Sequence, residues 1–78
     1  KNPLAIVSSN GRVKNFKVSD DKIYIEVNAH VPAELTLKVN SKVCSLKLLS
    51  SGKIERRKGI VQIHSKERSI RLEADCKR

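Results

Sequence analysis

The chain has 78 residues, of which 17 are basic and 8 acidic, giving a formal net charge of +9. A chain of this size has a thin core and no room for a deep active-site cleft. Apolar residues make up 38% of it, with one Phe, one Tyr and no Trp, so Val, Ile and Leu must build the core, and β-branched side chains favour strands.

The N-terminal segment, KNPLAIVSSNG, carries one charge and a five-residue apolar patch. That patch is too short for the apolar region of a signal peptide. No apolar run approaches the roughly 18 residues that cross a bilayer, so no membrane partner is expected. The chain lacks a starting Met, and we expect residues 1–78 to be a single β-domain cut from a longer polypeptide.

The next segment, GRVKNFKV at residues 11–18, predicts an irregular strand. Phe16 and Val18 fall on one face of such a strand, whereas Val13 is out of phase with them. An extra residue in one strand of a pair produces this change of phase. The segment therefore predicts a strand with a bulge between Val13 and Phe16.

Strict alternation of apolar and polar residues dominates the rest of the chain and predicts five further strands with one buried face. The residues predicted to face inward are Ile23, Ile25, Val27 and Ala29; Leu35, Leu37 and Val39; Cys44, Leu46 and Leu48; Val61 and Ile63; and Ile70, Leu72 and Ala74.

Short polar segments between these runs predict the connections. SSNGR at 8–12 and SDD at 19–21 are typical of turns, and VNSK at 39–42 and SSGK at 50–53 are typical of hairpin turns. ERRKG at 55–59 is predicted to be a polar, mobile link. Pro32 cannot donate a ladder hydrogen bond, so it predicts a corner between two strands.

Together these elements predict an all-β fold, a small antiparallel β-sandwich of six to seven strands. A small OB-like β-barrel is the alternative, because GRVKNFKVSDDKIYIEV would suit its first two strands. No stretch of ten residues has a helical period.

The basic excess is spread along the chain, with +4 on residues 1–52 and +5 on residues 53–78. Such a surface is either solvated or a site for a polyanion, and a Lys-rich, Met-free composition is also typical of thermophile surfaces. The candidate phosphate contacts are Lys53, Arg56, Arg57, Lys58, Arg68 and Arg71.

Catalytic and metal-binding patterns are absent from the sequence. His30 and His64 lie in no recognised nucleophile motif, and Asp20 and Asp21 are adjacent in a turn rather than aimed into a cleft. The two cysteines, 32 positions apart, lack zinc-site spacing, and their pairing is left undetermined. We expect no cofactor and no enzymatic activity.

Residues 31–74, VPAELTLKVNSKVCSLKLLSSGKIERRKGIVQIHSKERSIRLEA, resemble the last part of the small Ig-like β-sandwich domains at the C-terminal ends of many glycoside hydrolases. The resemblance lies in strand lengths, in the SSGK turn and in the closing strand KERSIRLE at 66–73. It implies a non-catalytic accessory domain that covers a face of a larger, carbohydrate-active enzyme, with neighbouring domains as its partners.

Two other functions fit the residues. One is a small basic β-barrel that contacts nucleic-acid phosphates, although Tyr24 alone is a candidate for base or sugar stacking. The other is a protein-interaction module that uses an edge strand. The oligomeric state does not follow from the sequence.

Overall fold

The computed structural model describes residues 3–77, and this part of the chain is all-β, as predicted. It contains eight strands rather than six or seven. They are β1 (Leu4–Ser9), β2 (Arg12–Ser19), β3 (Lys22–Asn28), β4 (Glu34–Val39), β5 (Cys44–Leu48), β6 (Lys53–Arg57), β7 (Ile60–His64) and β8 (Ser69–Cys76).

The strands form two antiparallel sheets of four. The first sheet has the order β1-β4-β7-β6, and the second has the order β2-β3-β8-β5. Strands β2 and β3 form one hairpin and β6 and β7 form the other, whereas the remaining five connections pass from one sheet to the other. The two sheets share one aliphatic core, so the architecture is the predicted sandwich.

The core is concentrated on the two central strands of each sheet. Every fully buried large side chain lies on β3, β4, β7 or β8: Ile25, Val27, Leu35, Leu37, Ile63, Ile70 and Leu72. The four edge strands add only two buried apolar residues to the core within residues 3–77, Leu4 of β1 and Cys44 of β5. The middle of the sandwich is therefore closed and its two sides are less well covered.

The predicted alternation is confirmed on these central strands. Leu37 pairs with Val61 of β7 and Ile6 of β1, and Ile25 pairs with Leu72 of β8 and Phe16 of β2. Directly opposed residues point to the same face of a sheet, so each row continues the inward face across the strands. The predicted bulge in β2 is also present, as a register shift between Val13 and Asn15.

Two strands were missing from the sequence prediction. Strand β1 is apolar on both faces, since Leu4 is buried while Ala5 and Val7 are exposed, and this composition hides the alternation. The ERRKG segment is not a mobile link: Glu55–Arg57 lies in β6, where its register with β7 is regular. Its charged residues on both faces concealed the strand.

Two predicted hairpin turns are wrong. VNSK joins β4 of the first sheet to β5 of the second, and SSGK joins β5 to β6 of the first sheet. Both are corners that carry the chain across the core, and a turn composition alone does not distinguish a corner from a hairpin. Pro32 does lie at a corner, between β3 and β4, as predicted.

Backbone requirements place glycines at two connections. A Cβ on Gly11 would clash with the Asn28 carbonyl oxygen, so the β1–β2 corner needs a residue without a side chain. In the two-residue turn from β6 to β7, both Lys58 and Gly59 have positive φ, at 39° and 84°. Hairpin turns of this type match the twist of the strands they join.

The two cysteines form a disulfide between neighbouring strands of the second sheet. Cys44 of β5 is directly opposite Cys76 of β8, with Cα atoms 4.0 Å apart, and both residues are buried. The bond fastens the edge strand β5 to the central strand β8 at the end of the chain. The pairing that the sequence left undetermined is thereby resolved.

The central core makes a direct prediction about stability. Leu37→Ala removes a fully buried side chain and is expected to lower the free energy of unfolding by about 2–5 kcal/mol. The neighbouring Thr36→Ala, on the outer face of the same strand, should cost less than about 1 kcal/mol. Urea unfolding followed by circular dichroism measures both, and equal losses would mean that the faces of β4 are misassigned.

The disulfide makes a second prediction. It closes a loop with a sequence separation of 32, and chain entropy gives such a crosslink about 3–4 kcal/mol of stability. A Cys44→Ala/Cys76→Ala variant should therefore unfold at a much lower urea concentration than the oxidised chain. Adding a reductant should lower the midpoint of the natural chain and leave that of the variant unchanged; a midpoint insensitive to reductant in both would contradict the crosslink.

Candidate functional site

The candidate sites are two clefts along the open sides of the sandwich. The residues that line the clefts set the edge strand β1 beside the edge strand β2 on one side, and β6 beside β5 on the other. No ladder joins the two sheets within residues 3–77, so each side remains a gap between two edge strands. The two gaps differ in the charge of their lining residues.

The first gap, the β1–β2 groove, has a volume of about 820 Å³ and is mainly apolar. Its walls include Leu4 of β1, Phe16 and Val18 of β2, and Val43 of the β4–β5 corner. Charges of both signs lie around it: Asp20, Asp21, Lys38 and Lys77.

Phe16 and Val18 are the unusual residues of this groove. Their register with Ile25 and Ile23 sets them on the inward face of the second sheet, yet 46% of Phe16 and 62% of Val18 is exposed. Strand β2 therefore extends beyond the part of the first sheet that covers β3. Val13, opposite the buried Val27, is a third exposed apolar residue on this face of β2. A single exposed apolar side chain is common, whereas three on the core-facing side of one edge strand leave apolar surface without a cover.

The second gap, the β5–β6 cleft, has a volume of about 390 Å³ and a basic rim. Arg56, Arg57 and Lys58 line it, and no carboxylate is among its lining residues. Val61 of β7 and Leu46 of β5 lie deeper in the cleft and supply apolar surface. The cleft thus combines an apolar interior with cations at its edge.

Arg56 has a position that the sequence did not reveal. It is directly opposite the buried Val61, so its side chain leaves β6 on the core-facing side of the sheet. Ile54, two residues earlier on the same face, packs against the core, while Arg56 remains exposed at the open side. Arg57 is opposite Ile60 and lies on the outer face.

The six candidate phosphate contacts are all exposed but do not form one surface. Arg56, Arg57 and Lys58 lie together at the β5–β6 cleft. Lys53 lies at the opposite end of β6, opposite His64, and Arg68 lies in the β7–β8 connection. Arg71 is on the outer face of the second sheet, opposite Glu26.

The outer faces of the two sheets carry mixed charge. On the second sheet, Tyr24 is half-buried between Lys17 of β2 and Glu73 of β8 in the same cross-strand row. On the first sheet, His64 Nδ1 lies 3.1 Å from Glu34 Oε1. Neither face offers an array of aromatic side chains for stacking on sugars or bases.

The polar side chains do not assemble a recognisable catalytic group. Within residues 3–77, no hydrogen bond joins a histidine to a serine hydroxyl, and no three His, Cys, Asp or Glu residues are grouped for a metal. Both thiols are committed to the disulfide. The described part of the chain also has no helix of the length and apolarity needed to cross a bilayer.

The comparisons with known proteins add no relative from which a site could be transferred. No protein-family model, no curated protein and no solved structure matches this chain.

Sequence reasoning found the components of both clefts but not the clefts themselves. The Arg56–Lys58 cluster and the shared face of Phe16 and Val18 are visible in the sequence. Their locations depend on which strands end up at the edges of the sheets, and that order follows from pairings distant in the chain. A charged residue in phase with Ile54 is the one local signal that could have indicated an edge strand at Arg56.

The groove makes a prediction that contrasts two valines on the inward face of one sheet. Val27→Ala, at a fully buried position of β3, should cost about 2 kcal/mol, whereas Val18→Ala should cost less than about 1 kcal/mol because that side chain is already largely in water. Urea unfolding of the two variants tests this difference. Equal costs would show that Val18 is covered and that the groove is closed.

Proposed function

We propose that this chain is a non-catalytic accessory β-sandwich that packs against a neighbouring domain of the same polypeptide through the β1–β2 groove. The observation that carries the proposal is the exposure of Phe16 and Val18 on the core-facing side of β2. A neighbouring surface placed there would complete the core of the sandwich on its open side.

The size of the apolar patch favours a tethered partner over a freely diffusing one. Full burial of an apolar side chain contributes about 1.5–3 kcal/mol, so covering the exposed parts of Phe16 and Val18 contributes about 1 kcal/mol each. The total of about 2 kcal/mol falls short of the roughly 4 kcal/mol of even a millimolar complex, so this patch alone would not hold a freely diffusing partner. Covalent linkage supplies an effective concentration in that range, so such a contact can form within one polypeptide.

This role is the one implied by the resemblance of residues 31–74 to accessory sandwich domains of glycoside hydrolases. Direct contact with sugars has little support, because Tyr24 is half-buried in a row with Lys17 and Glu73 rather than presented as a flat, free ring. The proposed role is therefore to pack against and stabilise a neighbouring domain rather than to bind carbohydrate.

Nucleic-acid binding is the weaker candidate. A duplex or single strand is held by a continuous row of cations along its phosphates. Arg56, Arg57 and Lys58 cluster at one cleft and Lys53 lies at the other end of the same strand, whereas Arg68 and Arg71 lie on other parts of the surface. The net charge of +9 gives a general attraction for polyanions, which salt weakens steeply.

The test compares the isolated chain with the chain joined to the sequence that its gene encodes on either side. Packing of a neighbouring domain should slow amide hydrogen exchange in β1 and β2 and leave exchange in β5 and β6 unchanged. A Phe16→Ser/Val18→Ser variant of the longer protein should lose that protection. The matched control is Val31→Ser, which removes an exposed apolar side chain at the β3–β4 corner.

Two outcomes contradict the proposal. One is exchange in β1 and β2 that is the same in the isolated and the longer protein, or a gene that encodes no adjoining domain. The other is binding of a mixed-sequence oligonucleotide at physiological salt that is lost in an Arg56→Gln/Arg57→Gln variant, which would favour the nucleic-acid function.

A further inference from the structure

We propose that the β5–β6 cleft is a second binding site, which takes an extended acidic peptide as an added strand along the free edge of β6. No described residue lines both this cleft and the β1–β2 groove, although both adjoin the β4–β5 corner. The inference rests on the position of β6 at the edge of its sheet, on the placement of Arg56 and Arg57, and on the composition of the cleft.

The backbone of β6 is available for pairing. The strand is the last of its sheet and pairs on one side only, with β7. Alternate N–H and C=O groups of an edge strand face away from the sheet and can pair with another extended segment. Peptides that bind in this way obtain affinity from main-chain hydrogen bonds and specificity from alternate side chains.

The side chains around this edge specify an acidic partner. Arg56 lies on the inward face and Arg57 on the outer face, so the two residues opposite them on an added strand are consecutive. Acidic side chains at both positions would each meet a guanidinium, which can hold a carboxylate through two parallel hydrogen bonds. No carboxylate among the lining residues competes for Arg56, Arg57 or Lys58.

The remaining positions of the added strand follow from the same register. The residue opposite Ile54 faces inward, beside a side chain that packs against the core, and should be apolar. The residue opposite Glu55 faces outward and should not be acidic. Read antiparallel to β6, the expected core of the ligand is Glu-Glu-Thr-Val-Glu, with the last Glu opposite Lys53.

A peptide fits the cleft better than a nucleic acid does. None of the residues that line the cleft is aromatic, so a base would find no ring on which to stack. Apolar residues such as Leu46 and Val61 line the cleft beside a free strand edge, and both features suit an extended peptide. A second copy of this chain is disfavoured, because two molecules of charge +9 repel each other.

The same cations also explain why the edge does not pair indiscriminately. A charged side chain on the inward face of an edge strand is a common defence against association between sheets. Pairing with a neutral strand would desolvate the charge of Arg56 without supplying a partner, and pairing with a basic strand would add repulsion between like charges. An acidic strand supplies that partner, so Arg56 both disfavours pairing with most strands and favours pairing with acidic ones.

The test uses the peptide acetyl-Thr-Glu-Glu-Thr-Val-Glu-Thr-amide, titrated into the isotope-labelled chain by NMR. Binding should shift the amide signals of β6 and the adjoining part of β5, and leave those of β1 and β2 unchanged. Arg56→Gln/Arg57→Gln should weaken binding about tenfold or more, through loss of charge-assisted hydrogen bonds. Arg68→Gln/Arg71→Gln removes the same charge elsewhere and should change affinity about twofold or less.

Two control ligands separate strand addition from general attraction between opposite charges. The same peptide with alternate backbone nitrogens methylated keeps its charge but cannot pair, and it should bind at least about tenfold more weakly. Equal binding of the methylated peptide would overturn the inference. So would no binding of the parent peptide at millimolar concentration, equal losses in the two arginine variants, or tighter binding of a single-stranded oligonucleotide at the same cleft.

Discussion

The structure depends on the burial of aliphatic side chains between four central strands. Strands β3 and β8 of one sheet face β4 and β7 of the other, and every fully buried large side chain lies on these four. With one Phe and no Trp, the chain has few large apolar residues to extend this core outward. The edge strands are therefore only partly covered, and the two clefts are a consequence of the composition of the core.

The two open sides of the sandwich differ in the inward-facing residues of their edge strands. On the β5–β6 side, a disulfide fastens β5 to β8, and Arg56 occupies an inward position that an apolar residue would otherwise take. On the β1–β2 side, the inward positions of β2 keep the apolar residues Phe16 and Val18. The charged edge resists pairing with most strands and the apolar edge attracts a cover, which is the basis for assigning them different partners.

The sequence predicted the fold class and the inward residues of the central strands, because strict alternation such as Ile23, Ile25 and Val27 reports burial on one face. It did not predict β1 or β6, because β1 has apolar residues on both faces and β6 has charged residues on both faces, so neither strand alternates. It also mistook two corners for hairpins, since the residues that favour a turn are the same in both. Which strands lie at the edges depends on pairing between segments distant in the chain. The exposed inward positions of Phe16 and Arg56 therefore could not be predicted from the sequence.

The claim that β2 extends beyond its cover is tested most directly by adding a soluble nitroxide to the labelled chain and recording the relaxation of its methyl signals. The structure predicts strong broadening of the Val18 methyl signals and little change for Val27, although both residues lie on the inward face of the same sheet. Equal protection of the two valines would mean that the first sheet covers β2. The β1–β2 groove would then not exist, and the accessory role built on it would fail.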